Sequence, residues 1–144
     1  QKTAYEIPKR DWSSDVCSSD LIVREDVDEV QLPGAEGYLG VLPGHTPLLT
    51  TLKVGELWYR TGSDKHYLAI AFGFAEVLPD RVTILAQIAE RAQDIDVDRA
   101  EAAKKRAEER LSARVSDIDF ERARIAMMKS LIRLQVASRA RTRV

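Results

Sequence analysis

The apolar positions of this chain change their period once, close to residue 80. Before that point they come in short runs punctuated by glycine and proline. After it they recur every three to four residues with no helix breaker, since every glycine lies between Gly34 and Gly73 and the last proline is Pro79. In the first half, residues 27–32 alternate in part and stop at Pro33-Gly34, and residues 38–42 run between Gly37 and Pro43-Gly44. Residues 55–60 carry Leu57, Trp58 and Tyr59, and Thr61-Gly62-Ser63-Asp64 predicts a hairpin turn. Residues 67–78 predict a long strand with a bulge or tight bend at Gly73, and residues 81–86 close the set after Pro79-Asp80. Short strands at this spacing predict a sandwich or a barrel.

The second half predicts two antiparallel helices. Asp94 or Asp96 can cap the first, whose apolar positions Val97, Ala100, Ala103, Ala107 and Leu111 form a thin, alanine-rich stripe suited to close helix packing. Ser116-Asp117-Ile118-Asp119 supplies the break and the next cap. The second helix lines up Phe120, Ala123, Met127, Leu131 and Leu134, with Ile125, Met128 and Ile132 on an adjacent line. That stripe is wider than one thin partner helix can cover, so part of it is expected to face a domain or another subunit. The basic end, from Ser138 to Arg143, is expected to fray into solvent.

The first 21 residues fit neither half. They hold the only cysteine, Cys17, and one of two tryptophans, Trp12, without an apolar run or a nearby histidine with which to begin a zinc site. Read back into codons, Gln1 to Glu6 and Asp11 to Asp20 can be encoded by strings that look like the constant parts of a common sequencing adapter. The expected organisation is therefore a non-native adapter-like segment at 1–21, a strand-built domain at 22–89 without its first strand, and a helical hairpin with a basic tail at 90–144. The sheet edge left open by that loss is expected to draw in residues 18–23.

Charge is uneven beneath a net value of −1. Residues 22–89 hold five Lys and Arg against nine Asp and Glu, and residues 90–144 hold fourteen against ten. This balance excludes a general nucleic-acid binder, which needs a dense one-sided basic surface. No apolar stretch reaches the roughly 20 residues that span a bilayer, so membrane association is expected only through a partner. No catalytic constellation emerges, because His45 and His66 fall in different turns with no nucleophile at matching spacing. Gly34, Gly37 and Gly40 lack the Gly-Lys-Ser/Thr continuation of a phosphate loop and suit β-turns instead. His45, held between Pro43-Gly44 and Pro47, suits a structural or interface role.

The ordered string from Val27 through Leu32-Pro33-Gly34-Ala35-Glu36-Gly37-Tyr38-Leu39-Gly40-Val41-Leu42-Pro43-Gly44-His45-Thr46-Pro47 resembles the signature of the epsilon subunit of bacterial F-type ATP synthase. Leu52-Lys53-Val54-Gly55, Gly73-Phe74-Ala75-Glu76-Val77 and the two-helix segment fit the same family. The resemblance implies a β-sandwich followed by an α-helical hairpin. It implies a non-catalytic rotor subunit of the central stalk, at the cytoplasmic face of the bacterial membrane, that couples c-ring rotation to ATP synthesis. The implied partners are the gamma subunit, the c-ring, and the alpha and beta subunits of the catalytic head, where an extended hairpin inhibits hydrolysis. Candidate interface residues are Glu36, Gly37, Leu42, Pro43, Gly44 and His45 in the turns, and Met127, Met128 and Leu131 on the second helix.

Some members bind regulatory ATP on the folded hairpin through a motif of the form Ile/Leu-Asp-x-x-Arg-Ala, which Ile95-Asp96-Val97-Asp98-Arg99-Ala100 matches. By position Glu90, Arg106 and Arg133 would line that site. Lys129 stands where ATP-binding members have arginine, keeping the charge while losing bidentate phosphate geometry. No metal and no required cofactor are implied. A free-standing ATP-binding sensor remains a rival reading, as does a chaperone-like hairpin that grips clients through its apolar face.

Overall fold

The structure is a computed structural model that describes residues 3–9, 20–113 and 116–141, with the backbone alone for residues 3–9, 20 and 21. Eight strands come first: β1 (Thr3–Lys9), β2 (Asp20–Val27), β3 (Glu29–Gly34), β4 (Gly37–Val41), β5 (Leu48–Leu52), β6 (Gly55–Thr61), β7 (Asp64–Leu78) and β8 (Arg81–Arg91). A 3-10 turn (Ala92–Asp94) leads into helices α1 (Val97–Ser112) and α2 (Asp117–Arg141). The strand-rich domain followed by two helices matches the expected class.

The bend predicted at Gly73 organises the sheet. β7 pairs with β6 through its first half, Asp64 to Ile70, and with β5 through its second, Gly73 to Val77. The partner β8 keeps one register across the junction, with Ala71 opposite Ile88 and Gly73 opposite Ala86, so the chain turns a corner without inserting a bulge residue. Phe72 (φ 56°) and Gly73 (φ 137°) supply the turn. Only glycine fits the second position, because a Cβ there would lie 1.9 Å from the Leu85 carbonyl oxygen. The two layers joined by this bend enclose one apolar core, in which Val27, Val30, Leu32, Leu57, Leu68, Ile70, Val77, Val82 and Ile84 are buried.

Four details depart from the sequence reading. The run 27–32 is broken at Asp28, whose carboxylate accepts from the Gly62 amide (2.7 Å) at the β6–β7 turn. β5 was not expected: its burial alternates, but its residue types, Leu48-Leu49-Thr50-Thr51-Leu52, do not, because Leu49 points to water and Thr50 is half-buried. β8 runs through Arg91, five residues past the expected strand 81–86. At the sheet edge, the strand between β2 and β8 is Thr3–Lys9, antiparallel to β2 and parallel to β8, while residues 20–23 of the expected occupant, 18–23, belong to β2 and residues 18 and 19 lie outside the described residues. An unpaired strand edge is satisfied by whichever extended segment supplies backbone donors and acceptors. Trp12 and Cys17 lie outside the described residues.

The hairpin folds back on the sandwich. α1 turns Ala100 and Ala107 inward, and α2 answers with Ala123, Ser130 and Ala137, small residues seven apart that let the two helices approach closely. Ile132 and Val136, a third of a turn or more away on α2, pack with Ala69, Ala92 and Ile95 of the sandwich and the 3-10 turn. The expected line from Phe120 to Leu134 is split between packing and exposure. Ala123 is buried, Met127 and Leu134 are half-buried, but Phe120 and Leu131 are exposed. Ser130 is polar, yet its hydroxyl donates to the Met127 carbonyl (2.8 Å) and it is fully covered. The expected fraying from Ser138 is corrected too, since α2 continues to Arg141; Arg143 lies outside the described residues.

Candidate functional site

At the junction of sandwich and hairpin lies a cavity of about 590 Å³. The end of β8 gives Ala89, Glu90 and Arg91, the segment before α1 gives Asp94 and Asp96, α1 gives Arg99, Ala100, Ala103 and Arg106, and α2 gives Arg133; Ile22 adds a contact from β2. Residues 96, 99, 103 and 106 reach one wall because their spacing places them on one face of a helix. Asp96 also starts that helix, its Oδ1 accepting from the Arg99 amide at 3.0 Å.

Four guanidinium groups thus meet three carboxylates around one open space. Arg133 is engaged with Glu90 through Nη2–Oε1 (2.7 Å), Nε–Oε2 (3.0 Å) and Nε–Oε1 (3.1 Å). Arg91 donates to the Ile22 carbonyl. Arg99 and Arg106 have no ion-pair partner among the described residues, and both are exposed at the cavity wall. Unpaired guanidinium groups beside a helix N-terminus suit a polyanion.

Six of the eight candidate nucleotide residues therefore converge: Glu90, Asp96, Arg99, Ala100, Arg106 and Arg133. Two do not line it. Ile95 turns into the apolar cluster under the hairpin, and the Lys129 ammonium stands 5.3 Å over the Phe72 ring. Ile22, Ala89, Arg91, Asp94 and Ala103 were missed as lining residues; for Ala103 the helical spacing from Asp96 was the available signal.

The interface candidates fall in three places. Glu36 and Gly37 are exposed at the β3–β4 turn. Leu42, Pro43, Gly44 and His45 form the β4–β5 loop, fixed by Gly44 N–H to the Pro79 carbonyl (2.8 Å) and His45 Nδ1–H to the Thr46 carbonyl (2.6 Å). Met127 is half-buried, while Met128 and Leu131 are exposed on the outer face of α2, continuing from Ile118 and Phe120. A further surface was not anticipated. Phe74 on β7 is paired with Leu85 on β8, Leu49 lies on the neighbouring β5, and all three are exposed, forming one apolar band. The remaining histidine, His66, stacks on Tyr59 with ring centroids 4.9 Å apart and does not line the cavity. Burial, followed by the Glu25 charge, pushes the Tyr59 phenol up to about 12, against a smaller opposing effect of Arg91.

Comparison with known proteins resolves the family. Residues 14–92 match the model described as ATP synthase, Delta/Epsilon chain, beta-sandwich domain, and residues 93–138 match that described as ATP synthase, Delta/Epsilon chain, long alpha-helix domain. The chain belongs to the epsilon-subunit family of F-type ATP synthases. Among bacterial epsilon chains, ATP synthase epsilon chain 2 of Syntrophotalea carbinolica is 49% identical over 119 residues, covering 82% of this chain and 86% of that one. The epsilon chain of Koribacter versatilis is 58% identical over 91 residues, which span 63% of this chain and 64% of its own length. In solved structures, a chain of the Euglena gracilis mitochondrial ATP synthase superposes with a TM-score of 0.75 at 22% identity, covering 98% of this chain and 81% of its own. A chain of the Tetrahymena thermophila central stalk and c-ring gives 0.55 at 14%, covering 97% and 96%. These two likenesses speak for the fold. As in its family, this epsilon-type chain joins a sheet domain to helices, and no helix among the described residues is long and apolar enough to cross a membrane.

Proposed function

We propose that this chain is a non-catalytic rotor subunit in the central stalk of a proton-translocating ATP synthase, at the cytoplasmic face of a bacterial membrane. In this reading it transmits c-ring rotation toward the catalytic head, and its hairpin leaves the sandwich to restrain ATP hydrolysis. The observation that carries the reading is the division of the apolar surface of α2. One part, Ile132 and Val136, holds the hairpin down, while another, with Ile118, Phe120, Met128 and Leu131, is left to water. Each docked aliphatic side chain contributes only about 1.5–3 kcal/mol, a hold that a competing surface of similar area can match. The Leu49–Phe74–Leu85 band and the Leu42–His45 loop offer the sandwich faces for gamma and the c-ring; alpha and beta would receive the extended hairpin. Reconstituting the enzyme with full-length chain and with a chain ending before residue 90 tests this. Hydrolysis should be faster with the shortened chain, and equal rates would overturn the inhibitory role.

The cavity favours a regulatory extension of the same reading, in which ATP bridges the sandwich and both helices and keeps the hairpin folded. Arg99, Arg106 and Arg133 would take the phosphates, and Asp96 and Glu90 the remainder of the nucleotide. Titrating the isolated chain with ATP by calorimetry should give millimolar or tighter binding. Arg106→Ala should weaken it about tenfold, a loss of ~1.4 kcal/mol, whereas Lys129→Ala should leave it within about twofold. Lack of heat at millimolar ATP would remove ATP regulation, and with it the rival stand-alone sensor, without touching the stalk role.

A further inference from the structure

We propose that Glu56 and Arg139 form a latch that sets how often the hairpin leaves the sandwich; the proposal rests on the two-state hairpin reading above. Glu56 is one of two buried polar residues among the described residues. The other, Ser130, is satisfied within its own helix. The Glu56 side chain is only 10% exposed, and its carboxylate Oε2 accepts from Arg139 Nε at 3.3 Å. Arg139 reaches it from the last turn of α2, and its guanidinium carbon stands 5.5 Å from the centroid of the Tyr67 ring on β7. Glu56 pairs in the sheet with Ala69, which packs in the same cluster as Val136 and Ala137. The ion pair therefore sits at the rim of the apolar dock, on its C-terminal side, while the Glu90–Arg133 pair belongs to the cavity.

The two partners are not equivalent. Covering a carboxylate to this extent is costly unless a cation stands beside it. Without Arg139 the closed hairpin would trap an unpaired anion, and opening would return that anion to water. Without Glu56, Arg139 would remain about half in solvent, its side chain 48% exposed, at a helix C-terminus where a cation is favoured. Loss of Arg139 must therefore open the hairpin more than loss of Glu56, and loss of both must resemble loss of Glu56 alone. Ordinary surface pairs show no such ordering.

The test measures the distance between spin labels at Asp80→Cys and Gln135→Cys in the full chain carrying Cys17→Ser. An Ile132→Ala background brings the open and closed states into the measurable range. Arg139→Gln should raise the open-to-closed ratio about tenfold, Glu56→Gln about twofold to threefold, and the double variant should match Glu56→Gln. Equal effects of the two single changes, or multiplication of their effects in the double variant, would overturn the latch. Val136→Asp separates the two levels of the claim, because a carboxylate at that fully buried position must undock the helix. If Val136→Asp opens the hairpin and Arg139→Gln does not, the latch alone falls. If neither changes the distance, the open state itself falls, and the hairpin reading with it.

Discussion

Replacing Gly73 with alanine tests whether the corner of β7 is what holds the two layers in register. The added Cβ would sit 1.9 Å from the Leu85 carbonyl oxygen and 2.8 Å from the Ala86 Cα. Since real Cβ contacts stay beyond 3.0 Å, the backbones of β7 and β8 must part by at least 1.1 Å, the difference between those two distances. The left-handed φ of 137° adds strain of about 1–3 kcal/mol for an L side chain. Parting the strands also weakens sheet hydrogen bonds worth about 0.5–1.5 kcal/mol each, and Gly73 pairs with both Leu52 and Ala86. The sum is about 2–6 kcal/mol, a large fraction of the roughly 5–15 kcal/mol that holds a domain together. At about 4–8 °C per kcal/mol for a domain the size of the sandwich, thermal unfolding followed by circular dichroism should show a fall of at least about 8 °C. Gly40→Ala is the control: nothing lies within 4 Å of its added Cβ, and it should stay within about 0.5 kcal/mol. A Gly73→Ala protein within about 1 kcal/mol of the parent would refute the bend as the organising element.

Two further outcomes follow from other parts of the molecule. Asp96→Ala removes the acceptor for the Arg99 amide and should cost about 1 kcal/mol by thermal melting, whereas Asp96→Asn keeps the cap and should cost little. Tyr59 holds its proton more tightly when folded, with its phenol pushed up to about 12 from an unfolded 10.0. Its contribution to stability is complete below pH 10 and is lost as pH rises from there toward 12. Absorbance titration of the phenolates should show one tyrosine ionising late, and Tyr59→Phe should remove that late phase.

The change from short punctuated runs to uninterrupted helical period was legible because it is local: turn residues and side-chain periodicity act through the chain's own backbone. So was the ordered turn signature, which carried the family. The strand β5 was not legible, because the exposure of Leu49 is set by a surface that no local rule describes. Asp28 as the break between β2 and β3 depends on a turn 34 residues away.

The candidate cavity divides in the same way. Asp96, Arg99, Ala103 and Arg106 could be placed on one face of α1 from spacing alone, since helix geometry fixes that much. Whether Glu90 and Arg133 would join them was a question of how α2 docks, decided by Ile132 and Val136 against the sandwich. That docking also sent Lys129 to Phe72, turned Ile95 inward, and put Arg139 over Glu56. Sequence determined the elements, their caps and the charges available. Only the tertiary packing decided which charges share a space, because burial and pairing between distant segments arise from surfaces that exist once the chain has folded.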